Sequence, residues 1–167
     1  MRPTCYTLLD SPFGMLCIVG SRDGLIRVNF QPGARPPGLD PHCQEDTAAL
    51  ATARRQLQEY CAGQRRTFTL PLAPAGTPFQ QRVWQALQAI PFGEVWTYRQ
   101  LARQLGMPQA ARAIGHANGR NPLAIVVPCH RLIGSDGHLR GHAGGLRVKQ
   151  QLLRHEGVTI ASPLDLP

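Results

Sequence analysis

Cys129, His130 and Arg131 stand side by side directly after Ile125-Val126-Val127-Pro128. The run of Ile and Val reads as a buried strand, and Pro128 ends it by removing a ladder donor. A cysteine at a strand end, followed by a potential base and then a cation, is a candidate nucleophile. The thiolate is the reactive form of cysteine, and a neighbouring base or positive charge favours it at neutral pH. Taken alone, a cysteine beside an apolar run is more often a small core residue, and a lone histidine is equally ordinary. The surroundings shift that balance. Asn121-Pro122 stands eight residues before Cys129, and Gly141-His142-Ala143-Gly144-Gly145, Lys149 and His155-Glu156-Gly157 follow it.

Several elements must position these residues. Thr77-Pro78-Phe79-Gln80 is a capping box with proline at the first helical position, and Val83, Trp84 and Leu87 supply the buried stripe of a helix ending near Ile90-Pro91. Thr97, with Gln100 three residues on, caps a short helix over about Tyr98–Leu105, which Gly106 terminates. Pro108 opens another helix, about Gln109–Asn118, and the pair joined by Gly106-Met107-Pro108 reads as a helix-turn-helix. The second helix carries Ala110, Ala111, Ala113, Gly115 and Ala117. Residues that small let a backbone approach either a partner or a neighbouring helix. Arg112, set among them and long enough to reach beyond its own helix, favours a nucleic-acid partner. Residues 134–145 are glycine-rich and form a loop or wing, Leu146–His155 is the last helix, and 158–167 reads as a frayed tail.

The first 75 residues read as a scaffold. Tyr6–Leu9, Met15–Val19 and Leu25–Phe30 alternate loosely, as strands with one buried face do. Gln31–His42 is a loop, Asp46–Cys61 a helix stopped by Gly63, Thr67–Leu70 a fourth strand, and Pro71–Gly76 a linker. The expected class is therefore α/β (α+β), with a small sheet-plus-helix domain at 1–75 and a second domain at 76–157.

Charge agrees with that division. The net charge is +8, and residues 77–157 hold ten Arg and Lys against three Asp and Glu. A basic half of this kind points to a polyanion. The five cysteines are odd in number and irregularly spaced, which argues against a disulfide framework and suits a reducing compartment. With no run of 18 apolar residues and no signal-peptide core, a cytoplasmic protein without a membrane partner is expected.

Asn-Pro, then Pro-Cys-His-Arg, then Gly-Gly and Lys, closing on His-Glu-Gly, resembles the O6-alkylguanine-DNA alkyltransferases of the bacterial short-chain type over roughly Gly76–Gly157. The resemblance implies a ribonuclease H-like first domain and a winged helix-turn-helix second domain. It implies irreversible repair of double-stranded DNA containing O6-alkylguanine, one event per molecule, by a monomer that flips the base through the minor groove. Repair of O4-alkylthymine and cooperativity on DNA stay open. Some relatives carry zinc in the first half. A site on Cys5, Cys17, Cys43 and His42 has no supporting CxxC or HxxxH spacing, so no metal and no cofactor are expected.

By motif match the resemblance also implies roles. Cys129 accepts the alkyl group, and His130 is the base, acting through a water. Glu156 orients His130, and Tyr98 donates a hydrogen bond to the leaving guanine. Asn121 ties the helix-turn-helix to the cysteine segment through backbone hydrogen bonds. Arg112 is the wedge on a DNA-binding face that includes Ala110, Ala111, Ala113 and Gly115. Leu132, His142, Ala143, Gly144 and Lys149 line the pocket. His142 departs from the pattern, where tyrosine is usual; it reads first as a tolerated aromatic-like swap, and in a second reading its ordinary pKa near 6.5 lets it charge close to neutrality. Two other classes remain open: a Cys-His-Glu thiol hydrolase, and a helix-turn-helix regulator or lesion binder that transfers nothing.

Overall fold

The computed structural model describes residues 4–31 and 37–160. The chain forms two compact units, one of residues 1–75 with Pro122–Val126, the other of 76–121 with 127–167.

In the first unit, β1 (Cys5–Leu9), β2 (Leu16–Ser21), β3 (Gly24–Phe30) and the short β4 (Gln44–Glu45) form one sheet in the order β3-β2-β1-β4. β1–β2 and β2–β3 pair antiparallel, and β4 joins β1 in parallel. β2 is buried from Leu16 through Gly20, so this central strand is covered on both faces, not on one as its loose alternation suggested. α1 spans Ala51–Cys61 and buries Ala53, Gln56, Leu57 and Tyr60. It begins five residues later than expected, because the Asp46 side chain accepts the Ala49 N–H and holds 46–49 as a turn.

The fourth strand is not where the sequence put it. Thr67–Leu70 is not a strand: the Thr69 N–H is taken by the Gln56 side chain, whose amide also donates to the Thr69 hydroxyl. The edge of β3 is met by two other segments. Leu25 exchanges backbone bonds with Pro71 and Ala73, and Val28 with Pro122 and Ala124. Gly24 permits the first approach, since a Cβ there would lie 2.4 Å from the Pro71 carbonyl oxygen.

Ile125-Val126-Val127 is likewise not a strand. The segment turns tightly, with Val126 N–H to Ala124 O and Cys129 N–H to Val127 O both at 2.8 Å, and Ile125 has φ +71°. All of Leu123–Val127 is buried. A short apolar run shows burial but does not distinguish a strand from a packed turn.

The second unit contains α2 (Pro78–Leu87), β5 (Trp96–Thr97), α3 (Tyr98–Gln104), α4 (Ala111–Gly119), a 3-10 turn (Cys129–Arg131), β6 (Leu132–Ile133) and α5 (Leu146–His155). Both threonine capping boxes are present, with the two reciprocal bonds made at Thr77/Gln80 and at Thr97/Gln100. α3 and α4 are the helix pair read from the sequence. α4 starts at Ala111 and not Gln109, because the Ala110 N–H turns back to Met107. β5 and β6 form a two-residue parallel ladder. The wing is a loop closed by Gly134 N–H to His138 O and by an Arg140–Asp136 ion pair at 2.6 Å. Of the tail, only Val158–Ile160 lies within the described residues. Among those residues, no helix is long and apolar enough to cross a membrane.

Candidate active site

The 3-10 turn gathers the chemistry of the second unit. Cys129, His130 and Arg131 are all buried, His130 completely. Two asparagines hold the turn. Asn118, on the buried face of α4, donates to the Cys129 carbonyl at 3.3 Å, and Asn121 donates through its side chain to the Val127 carbonyl at 2.9 Å. The link expected from Asn121 therefore runs through its side-chain amide, and that amide also hydrogen-bonds the Cys129 sulfur.

Glu156, at the end of α5, meets this turn. Its Oε1 lies 2.7 Å from His130 Nε2 and accepts from Arg131 Nη2 at 2.9 Å. Its Oε2 accepts from Arg131 Nε at 2.9 Å and from the Gly93 N–H at 3.2 Å. Burial pushes the Glu156 carboxyl up, but the hydrogen bonds from His130 and Arg131 outweigh it and hold the group well below the usual carboxylate range. An ionised Glu156 can only accept, so the His130 proton sits on Nε2. Nδ1 then carries the lone pair, and it is buried with no hydrogen-bond partner among the described residues. Burial keeps His130 below its ordinary pKa, the Arg131 and Lys149 charges add to that, and the bond to Glu156 opposes it.

Burial also raises the Cys129 pKa, against the Asn121 hydrogen bond and the Lys149 charge. The expectation that an adjacent cation makes a resting thiolate is overturned: Arg131 spends its donors on Glu156 and on the Ile90 carbonyl at 2.6 Å, and Cys129 rests as a thiol.

The 140s loop forms another side of the site. Lys149 is fully buried, not a solvated helix lysine. It donates to the Arg140 carbonyl at 2.7 Å and lies 6.0 Å from the centroid of the Tyr98 ring. Burial lowers its pKa to about 8. The Tyr98 hydroxyl reaches the same carbonyl at 3.4 Å. His142 Nδ1 accepts the Gly144 N–H at 3.1 Å, so its proton is on Nε2, which is buried and without a partner among the described residues. Burial first, then the nearby His130 and Lys149, push His142 down to about 3. The expectation that His142 charges near neutrality is thereby corrected. Ala143 is exposed, Gly144 half-buried, and Leu132 fully buried where it pairs with Trp96.

On α4, Arg112 and Ala113 are exposed, and both line a cleft of about 630 Å³ with Thr77, Phe79, Gln80, Gln109, His116 and Ala117. Ala110 and Ala111 are half-buried. Gly115 faces the Tyr98 ring, where a Cβ would stand 3.6 Å from it, an ordinary contact distance. The helix is also held from behind by Trp84, whose indole donates to the Ala117 carbonyl at 2.9 Å.

Three contributors were not read from the sequence as parts of the site: Arg131 as the partner of Glu156, Gly93 as a donor to it, and Asn118. The arginine was visible in the Pro-Cys-His-Arg string, but its target was not. In the first unit, Cys17 and Cys43 pack with Tyr6 and Val19 in an apolar cluster. Among the described residues no group of three or more His, Cys, Asp or Glu is arranged to hold a metal ion.

A buried thiol followed by a histidine–carboxylate pair lies in the same unit as a helix, α4, that exposes an arginine. Comparison with known proteins gives the family. The family model described as "6-O-methylguanine DNA methyltransferase, DNA binding domain" matches residues 78–158, and that described as "6-O-methylguanine DNA methyltransferase, ribonuclease-like domain" matches residues 4–74. A methylated-DNA–protein-cysteine methyltransferase of Methanosarcina acetivorans is 45% identical over 91% of this chain and 97% of its own. The crystal structure of Mycobacterium tuberculosis O6-methylguanine methyltransferase superposes with a TM-score of 0.85 at 41% identity, covering 97% of this chain and 96% of that one. Mycobacterium tuberculosis OGT in complex with DNA gives 0.83 at 43% identity, with 91% and 92% covered. The chain belongs to the 6-O-methylguanine DNA methyltransferase family.

Proposed function

We propose that this protein repairs DNA by moving the alkyl group of O6-alkylguanine onto its own Cys129, once per molecule. The activity in its relatives' names, methyl transfer from DNA to a protein cysteine, fits the site residue by residue. The observation that carries the reading is a buried Cys129 thiol followed in the chain by a buried His130 whose Nδ1 has no partner among the described residues and whose Nε2 is fixed by Glu156. A resting thiol needs a base at the moment of reaction, and this is one held in the right tautomer.

The steps balance without a cofactor. His130 Nδ1 takes the Cys129 proton, through a water. The sulfur attacks the alkyl carbon, the bond from that carbon to guanine O6 breaks, and the leaving base takes a proton. Tyr98 donates a hydrogen bond to that base once its hydroxyl turns from the Arg140 carbonyl, and the Nε2–H of His142 offers a second donor. Glu156 stabilises the imidazolium formed on His130. Lys149 secures the loop carrying Ala143 and Gly144, and the backbone at Leu132 walls the pocket. Asn121 and Asn118 fix the cysteine turn to α4, the helix that meets DNA.

Access requires the base to leave the stack. Arg112, exposed on α4 with Ala113 beside it and Ala110 and Ala111 at the helix start, is the side chain to fill the gap from the minor groove. Residues 76–157 carry out binding and transfer in this reading, with 1–75 as scaffold and 158–167 as a tail. A thioether is not cleaved by anything in the site, so alkylation ends the protein's activity.

Titration decides it. Limiting protein mixed with DNA containing O6-methylguanine should plateau at one lesion per protein, with the mass of one methyl group gained on the Cys129 peptide. Several lesions removed per protein would overturn the reading. Release of product from an ester substrate without a mass gain would show a hydrolase, and binding with no change in either molecule would show a lesion binder.

A further inference from the structure

We propose that Arg131 is a positioning residue of this reaction: by saturating Glu156 it keeps His130 neutral and its Nδ1 free to accept the Cys129 proton. The inference rests on the alkyl-transfer reading and concerns a side chain to which that reading gives no part.

Among the described residues Glu156 accepts at least four hydrogen bonds, two on each oxygen, from His130, Arg131 twice, and the Gly93 N–H. A carboxylate has about four such acceptor positions, so this one is full. Arg131 supplies half of them through a two-point fork, a geometry that only guanidinium offers. The fork is itself anchored, by Nη1 on the Ile90 carbonyl at 2.6 Å and by the Phe92 ring 5.9 Å from the guanidinium.

The charge count then adds to burial in setting the state of His130. A buried carboxylate paired with histidine alone draws a proton onto the ring, because imidazolium is its only counter-charge. With Arg131 in place the carboxylate is already neutralised, and a second proton on His130 would leave a net buried cation. The other groups facing His130 reinforce this. Lys149 from α5 is cationic, and Cys129 and His142 are neutral at rest. Among the described residues Glu156 is the group that favours a charged His130, and Arg131 opposes it. A protonated His130 could not accept the thiol proton.

The proposal predicts a change in pH dependence, which a purely structural role would not produce. Arg131→Gln should raise the His130 pKa, read by NMR of ring-labelled histidine in the full-length protein. The acid limb of the transfer rate should move up with it. At a pH below both pKa values, raising the His130 pKa by one costs about tenfold in the reactive form, while the rates should converge at alkaline pH. Arg131→Lys, which keeps the charge but reaches only one carboxylate oxygen, should move His130 part of the way. A uniform loss of rate at every pH with His130 titrating as in wild type would overturn the proposal. So would a wild-type His130 titration in the lysine variant, should the glutamine variant not fold. The NMR titration needs no substrate. A wild-type protein that transfers nothing would sink the alkyl-transfer reading and still leave the effect of Arg131 on His130 measured.

Discussion

Replacing Cys129 by serine keeps a small side chain in the buried turn but substitutes a hydroxyl far less acidic than a thiol. Cys129→Ser should abolish methyl transfer and leave DNA binding within about twofold in a gel-shift assay, since the change is buried and uncharged. His142 makes the opposite kind of prediction. Held down to about 3 by burial, it stays neutral through the physiological range. Transfer by His142→Tyr should therefore follow the wild-type pH profile between about pH 6 and pH 8. His142→Ala loses the buried Nε2–H and some packing, worth about 1–2 kcal/mol or on the order of tenfold in rate. Cys129, His130 and Glu156 were legible as a set, because the string around each is distinctive. The 2.7 Å contact between His130 and Glu156 spans 26 residues and became legible only through the resemblance. Two things were not legible at all: the direction of Arg131, which depends on where α5 ends in space, and the neutrality of His142, which depends on burial.

At the scale of elements, the helix starts were the most readable feature. A capping box is closed within four residues, and both Thr77 and Thr97 make theirs. Thr97→Ala should cost about 1 kcal/mol in urea unfolding. Because Tyr98 is the first residue of α3, the substitution should also slow transfer modestly by loosening that ring. α4 carries the second test. Arg112→Ala should slow repair in duplex DNA far more than reaction with free O6-benzylguanine, because only the duplex demands base flipping. Equal losses on both substrates would remove Arg112 from the wedge role. The elements misread share one physical cause. β4 and the segment 67–70 take their backbone partners from distant residues, Cys5 and Tyr6 for β4 and Gln56 for Thr69, while the run before Cys129 turns back on itself just after Pro122 and Ala124 have bonded the distant Val28. Local pattern carries no information about such partners.

Across the molecule, charge and acid stability are set by what is buried. Of the ten cations in 77–157, Arg131 and Lys149 are buried, and the eight others, Arg82, Arg99, Arg103, Arg112, Arg120, Arg140, Arg147 and Arg154, are exposed. DNA affinity should accordingly fall with salt, with a slope of about −0.9 in log K against log salt for each phosphate contacted. The sign of the acid response follows from the lowered pKa values. His130 and His142 both bind protons less readily folded than unfolded. The stability this represents is complete above their ordinary value near 6.5 and is lost as pH falls toward the folded values, near 3 for His142. Glu156 adds a loss of the same sign below the usual carboxylate range. Each excluded proton costs about 1.4 kcal/mol per pH unit in its window. Urea midpoints should therefore drop steadily below about pH 6.5, and drop less steeply in His142→Tyr.

The excursion of Pro122–Val126 into the first unit has a kinetic side. Val28 bonds Pro122 and Ala124, so the edge of β3 waits for chain synthesised some ninety residues later. Closing a loop of that length costs roughly 2 kcal/mol more than closing one of about a dozen residues. The hairpins of β1, β2 and β3 are local by comparison and can form while the rest is still emerging from the ribosome. The reactive turn, two residues beyond Val127, is then among the last parts to be built, and a chain that has not yet folded there carries Cys129 without the Glu156 contact that fixes His130. Pulse-labelled hydrogen exchange during refolding should show amides of β2 protected first and those of Val126 and Cys129 last. A protein assembled in that order completes its first sheet before its cysteine turn can react.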